Sequence, residues 1–214
     1  MAGAPPGRAV LVLGFESADH PLDPWIARAV ECCRDLGGDV VDGPTTSVSG
    51  TGAREGEAGA WRNAFVQAPY LRDTLIAGGV LSETFETAIT WDRLPAFVAR
   101  VREAAEAAVA SECGAGRVTC RLTHVYPDGA APYFTVLAPA RRGSELEQWD
   151  AVKAAASEAI SAAGGTITHH HAVGRDHRPW YDRERPEPFA AALRAAKREL
   201  DPAAIMNPGV LIDP

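Results

Sequence analysis

LSETFETAI at residues 81–89 is followed by WDRLPAFVARVREAAEAAVA at 91–110 and VTCRLTHVYPDGAAPYFTVLA at 118–138. In the first stretch Leu81, Phe85 and Ile89 fall on one side of a two-residue alternation, as in a half-buried strand. In the second, Trp91, Leu94, Phe97, Val98, Val101, Ala105 and Ala108 recur at helical spacing, and Gly114 marks the stop. In the third, Val118, Cys120, Leu122, His124 and Tyr126 alternate again. Pro127-Asp128-Gly129 turns the chain, and Tyr133 to Ala138 returns it. Ser144 and Glu147 have capping-box spacing. Leu146, Trp149, Val152, Ala156, Ala159 and Ile160 then carry a helix to Gly164-Gly165, and a short strand follows over 166–168. The order over 81–168 is β-α-β-β-α-β. This predicts an α+β, ferredoxin-like antiparallel sheet with helices on one face.

Before this core, Val10 to Phe15 reads as a buried strand. Asp23-Pro24 reads as an N-cap with proline opening a helix that stops at Gly37-Gly38. Asp39 to Asp42 reads as a second strand, so the opening is predicted to be β-α-β. Residues 43–59 read as a flexible surface loop, and 61–78 as a helical pattern broken around Pro69. Beyond the core lie an irregular His/Arg-rich stretch, 169–186, and a helix over 187–200 with Phe189, Leu193, Ala196 and Leu200 on one face. Three regions result: 1–80, 81–168 and 169–214.

The 214 residues carry a net charge of −7 with no Lys/Arg run, which argues against a nucleic-acid-gripping face, and no nucleic-acid partner is expected. Cys32, Cys33, Cys113 and Cys120 have no CxxC spacing and form neither a disulfide framework nor a zinc ribbon. No apolar run reaches the ~20 residues of a membrane span, and the first residues lack a signal core. The expected setting is cytoplasmic. Walker and GxSxG motifs are absent, and Gly50-Thr51-Gly52 does not open a helix as a dinucleotide fingerprint would.

Four of the six histidines fall within residues 169–177. Such a cluster suits proton transfer, anion stabilisation or metal binding, and equally a solvated loop. In an extended segment His169, His170 and His171 alternate in direction, so at most two share a side, and no metal site is expected. Tyr133 opens the returning strand, where a half-buried core tyrosine is the plainer reading. Arg72 suits a phosphate or carboxylate fork, or a surface ion pair. Glu83 among apolar neighbours needs a partner or a sheet edge. His124 reads as a satisfied core histidine.

Five stretches in order resemble one family. They are Pro69-Tyr70-Leu71-Arg72-Asp73, then Glu83-Thr84-Phe85-Glu86-Thr87 with Trp91-Asp92-Arg93, then Cys120 to Tyr126 with Tyr133-Phe134. His169-His170-His171 with Gly174 and the Asp201-Pro202 to Asn207-Pro208-Gly209 ending complete the set. Together they resemble the C-terminal, substrate-capping half of FAD-linked oxidases of the vanillyl-alcohol-oxidase type, and within it the alkylglycerone-phosphate synthase branch. The resemblance implies covalent capture of the substrate carbon at the flavin N5, with a fatty alcohol replacing the departing acyl group to form an ether lipid. It places the catalytic groups at Tyr133, His170 and His171, an anion-binding arginine at Arg72, and cofactor contacts at His169 and Asn207. The FAD is expected to be held mainly by a missing N-terminal domain or a partner, through an apolar surface that otherwise self-associates. The metal-dependent D-2-hydroxy-acid branch differs, with a Gly-Asp-Gly turn and Glu-His where this chain has Pro127-Asp128-Gly129 and His170-His171. Two alternatives stand beside this reading: an FAD-linked oxidoreductase acting on a hydroxylated small molecule, and a non-catalytic ferredoxin-like binding module.

Overall fold

A computed structural model describes residues 9–44, 46 and 56–213. Most of the expected loop over 43–59 and the Gly50–Gly52 stretch lie outside the described residues. The chain divides into two compact units, residues 1–73 and 74–214.

In the first unit, helix α1 spans Asp23–Asp35 and buries no residue. Its N-cap is Leu22, without a side-chain cap, so Asp23 is the first helical residue and not the cap expected of it. Neither flanking strand of the expected β-α-β opening forms. Val10, Leu11, Val12 and Leu13 remain 48–68% exposed. An apolar run becomes a strand only when another strand completes its hydrogen bonds, and none does so among the described residues. Helix α2, Gly56–Ala77, runs through Pro69 and does not break there, and it takes residues 56–59 from the expected loop.

The second unit holds the core. Strand β1 (Val80–Glu86) pairs antiparallel with β4 (Gly129–Pro139). The two-residue β2 (Ile89–Thr90) pairs further along the same edge of β4, and β3 (Arg117–Val125) pairs with the opposite edge. Helix α3 (Leu94–Cys113) links β2 to β3, and α4 (Glu145–Ala162) follows β4. The expected last strand shrinks to one bridge, Ala88 to Thr166, supported by the Thr87 hydroxyl donating to the Thr166 carbonyl at 2.5 Å. Within 169–186 a short helix α5 forms (Arg178–Glu184), and α6 spans Glu187–Leu200. Ser144 is the N-cap of α4 but makes no side-chain cap, so the capping box does not close.

One face of the sheet presents Leu81, Phe85, Val118, Phe134 and Val136 to Phe97, Val101, Ala105, Val152, Ala156 and Ile160 of α3 and α4. Phe85 and Phe134 stack with centroids 4.9 Å apart. Glu83 lies on this buried face and has the partner it requires: Lys153 Nζ and Trp149 Nε1 each donate to its carboxylate at 2.7 Å. Gly129 is fixed by close approach, because a Cβ there would stand 2.3 Å from the Ile89 carbonyl oxygen.

Candidate functional site

The other face of the sheet carries the polar groups. Tyr133 pairs across the sheet with Glu86 of β1 on one side and with Arg121 of β3 on the other. Directly opposed residues point to the same side, so Glu86, Tyr133 and Arg121 form one row. The Arg121 guanidinium stands 4.2 Å from the Tyr133 ring centroid.

His124 joins this face through an irregularity. Leu122 pairs with Pro132, yet His124 pairs with Ala131, so one residue of β3 is bulged between them. A bulge reverses the side on which later residues lie. His124 therefore leaves the face of Val118, Cys120 and Leu122 and joins that of Tyr133. Its side chain is 38% exposed, which corrects the expectation of a core histidine.

The histidine triplet is anchored to the end of β1, where the His169 N–H donates to the Glu86 carbonyl at 3.1 Å. The His171 N–H then donates to the His169 carbonyl at 2.8 Å, a three-residue turn centred on His170 with φ +62°. Ala172 has φ +60°. These left-handed positions are costly for non-glycine residues and occur where the surroundings enforce them. The segment is bent, not extended, so the alternation expected of it fails and all three imidazoles converge. His177 closes the loop, its Nδ1 2.9 Å from the Ala172 carbonyl.

At the centre lies Glu86, 3% exposed. The Thr123 hydroxyl donates to its Oε1, and His124 Nδ1 lies 3.3 Å from the same oxygen. Its Oε2 faces His169 Nδ1 at 3.6 Å and His171 Nε2 at 3.7 Å. His169 Nε2 meets the Tyr126 hydroxyl at 3.0 Å, and the His171 ring meets the Tyr133 ring edge-on, centroids 5.3 Å apart. Burial works to raise the Glu86 pKa. The hydrogen bonds from Thr123 and His124 and the charges of His169 and His171 outweigh it, so the carboxyl sits below its usual range. For His171 burial dominates and lowers its pKa, against the opposing pull of Glu86.

Of the residues singled out from the sequence, Tyr133, His169, His170 and His171 meet at this site. Arg72 lies exposed on α2, at the edge of the first unit. Asn207, with φ +49°, sits in a C-terminal turn where its carbonyl accepts from the Val210 N–H at 3.1 Å. That turn is tied to the residues after the triplet by Arg175 Nη2 donating to the Pro208 carbonyl at 2.8 Å. Glu86, His124 and Tyr126 were not singled out as site residues by pattern. An alternation carries no sign of a bulge, and a strand-end carboxylate reads as solvated.

Ligand atoms of Glu86, His124, His169 and His170 lie within 4.8 Å of one another, a donor set that suits a divalent cation in type. The geometry is less suited. The His169 and His170 rings stack with centroids 4.2 Å apart at 12°, so their lone pairs lie in separate, nearly parallel planes and a single ion cannot sit in the plane of both rings. What the arrangement offers directly is proton chemistry: a phenol, several imidazoles and a buried carboxylate on one sheet face.

Residues 1–211 match the family model described as FAD linked oxidases, C-terminal domain. The chain is 39% identical over 169 residues to the alkyldihydroxyacetonephosphate synthase of Caenorhabditis elegans, covering 76% of this chain and 27% of that protein. The Trypanosoma brucei brucei enzyme of the same name is 32% identical over 154 residues, 71% of this chain and 25% of that protein. The chain thus spans about a quarter of the length of the curated relatives it matches. Two solved structures of alkyldihydroxyacetonephosphate synthase share the fold, with TM-scores of 0.52 and 0.54 at 18% and 15% identity. They cover 70% and 87% of this chain, and 24% and 28% of those chains. The chain belongs to the FAD-linked oxidase C-terminal domain family.

Proposed function

We propose that this chain is the substrate-facing part of an FAD-dependent enzyme of the alkylglycerone-phosphate synthase type, which exchanges the acyl group of an acyl-dihydroxyacetone phosphate for a fatty alcohol. The observation that carries this reading is the convergence of Tyr133, His170 and His171 on one sheet face around a buried carboxylate. The relatives' name supplies the substrate class.

The described residues fit the reactive end of a flavin better than its pyrophosphate end. Phenol and imidazole groups stand ready to face a ring system and a substrate. Among the described residues, however, α1, α3, α5 and α6 carry proline in the first turn and α4 carries Glu145 and Glu147 there, so none of these helix starts suits a phosphate. FAD would be held mainly by another domain or subunit, with His169 and Asn207 making the contacts from this side. When bound, the flavin supplies an electron-accepting centre beside the substrate carbon. Tyr133, acting as tyrosinate, takes the proton from that carbon and returns it. His171, in edge contact with the Tyr133 ring, and His170 stabilise the departing carboxylate. Arg72 holds the phosphate by its planar fork. The name of the domain family favours a second reading, oxidation of a hydroxylated small molecule by the same flavin.

The test combines the 214-residue chain with FAD, alone and with a flavin-binding domain of a relative, and supplies acyl-dihydroxyacetone phosphate with a fatty alcohol. Alkyl product with equimolar fatty acid is expected, and Tyr133→Phe should lower its rate by about a hundredfold or more. Stable flavin reduction by substrate without alkyl product would select the oxidase reading. Unchanged exchange in both Tyr133→Phe and His171→Ala would remove the assigned roles.

A further inference from the structure

Glu86 is an unusual choice for its position. A carboxylate 3% exposed pays a desolvation penalty that an apolar residue in the same row of β1 would avoid. Its neighbours are polar on every side. Thr123 and His124 reach it from β3, and His169 and His171 from the loop after the Ala88–Thr166 bridge. Tyr133 lies opposite it on β4, with Arg121 beyond. Lys153 and Glu83, paired behind the sheet, complete the charged surroundings of His171.

Each imidazole presents a defined nitrogen to the carboxylate. His169 turns Nδ1 toward Oε2, and this Nδ1 is buried without a hydrogen-bond partner. Its Nε2 meets the Tyr126 hydroxyl, a group able to donate. A proton on Nδ1 faces the anion, and the lone pair on Nε2 receives the phenol proton. This is the tautomer that a free imidazole of histidine disfavours. His171 presents Nε2 to the same oxygen, which leaves Nδ1 on the side away from Glu86.

We propose that Glu86 is the positioning residue of the site: its buried carboxylate fixes the ring orientation and tautomer of His169 and His171, and so leaves Nδ1 of His171 free to take up a proton and donate it in a hydrogen bond to the departing carboxylate. The proposal rests on the catalytic role given to His171 above, but its first test does not. The outer nitrogen of an imidazole is set by what the inner nitrogen meets, and the strained turn at His170 is the backbone's part in bringing both rings to one oxygen.

The experiment is nitrogen-15 NMR of the imidazoles in the full chain at a pH where they are neutral. His169 should be protonated mainly on Nδ1 and His171 on Nε2. In Glu86→Gln, His169 should shift toward the Nε2–H form, and Glu86→Asp should lie between. If Glu86→Gln does not fold, the Glu86→Asp shift alone decides. In the flavin-reconstituted enzyme, Glu86→Gln should lower kcat by about tenfold to a hundredfold while KM moves little, with partial rescue in Glu86→Asp. Unchanged tautomers in a folded Glu86→Gln protein would overturn the proposal. So would a stoichiometric divalent metal in the purified chain that is lost with Glu86, since the residue would then be a ligand. A wild type with the expected tautomers but no exchange activity would leave Glu86 in this role and overturn the proposed function instead.

Discussion

His171 and His177 stand on either side of the bend at Ala172, and burial lowers the pKa of both. For His171 the Glu86 anion works against burial. For His177 the Lys153 charge adds to it, while the bond to the Ala172 carbonyl opposes it. An unfolded histidine takes its proton near pH ~6.5. As pH falls through that value the unfolded chain binds protons that the folded chain resists, so stability declines toward acid. Glu86 acts in a separate window. Its carboxyl is depressed in the fold, so its contribution is present above the ordinary carboxylate pKa and is lost only at more acidic pH. The urea midpoint should therefore fall between about pH 7 and pH 5.5, and His177→Asn should flatten that slope. A wild-type profile flat across this range would show that neither ring resists protonation. Tyr133, His170 and His171 were legible as a candidate site through family motifs. Glu86 and His124 were not, because one belongs to a strand end and the other depends on a bulge that leaves the alternation of residue types undisturbed.

At the scale of elements, the helices over 94–113 and 145–162 and the hairpin of β3 and β4 follow the periodicity, since most of their apolar stripe is also their buried face. The helix over 187–200 forms as expected, but of its residues Ala190 is buried while Phe189 and Leu200 of the expected face are 54% and 80% exposed. The strands expected at 10–15 and 39–42 fail for want of a partner, and Pro69 fails to interrupt α2. Propensity reads local preference, whereas a strand is decided by what lies beside it. The sheet is tied to α4 by one polar link that periodicity did flag. Glu83 and Lys153 both have side chains 8% exposed and meet at 2.7 Å, with Trp149 Nε1 on the second carboxylate oxygen. Removing one member leaves a buried charge alone, at a cost of about 3 kcal/mol or more, whereas removing both charges leaves none. Lys153→Met should therefore destabilise the chain by about 3 kcal/mol in urea unfolding, and Lys153→Met with Glu83→Gln should recover part of that loss. A double variant no better than Lys153→Met would mean that packing of the lysine stem, not its charge, holds α4 to β1.

At the scale of the whole molecule, most of the buried apolar side chains among the described residues belong to one core. Phe134, Val136, Val101, Val152 and Ile160 are at most 1% exposed, and all belong to β4, α3 and α4. Helix α1 buries nothing, and Trp25 and Leu36 on it and at its end are 54% and 90% exposed. Cooperative protection follows buried contacts, because an amide exchanges only when its surroundings open. The site shares in this hierarchy. Tyr133 and Glu86 sit on strands that also form the core, whereas His169 to His171 hang from β1 by a single backbone bond and a strained turn. The proton-handling groups are thus divided between a rigid sheet and a loop able to adjust. Hydrogen exchange read by mass spectrometry should rank peptides from β4, α3 and α4 slowest, the 169–174 segment intermediate, and 23–36 fastest, at rates close to an unfolded chain. Addition of a flavin-bearing domain should slow the 169–174 segment selectively, because the groups it orders are the ones proposed to face the cofactor. Protection of 23–36 equal to that of β4 would mean that α1 is held by burial as firmly as the core.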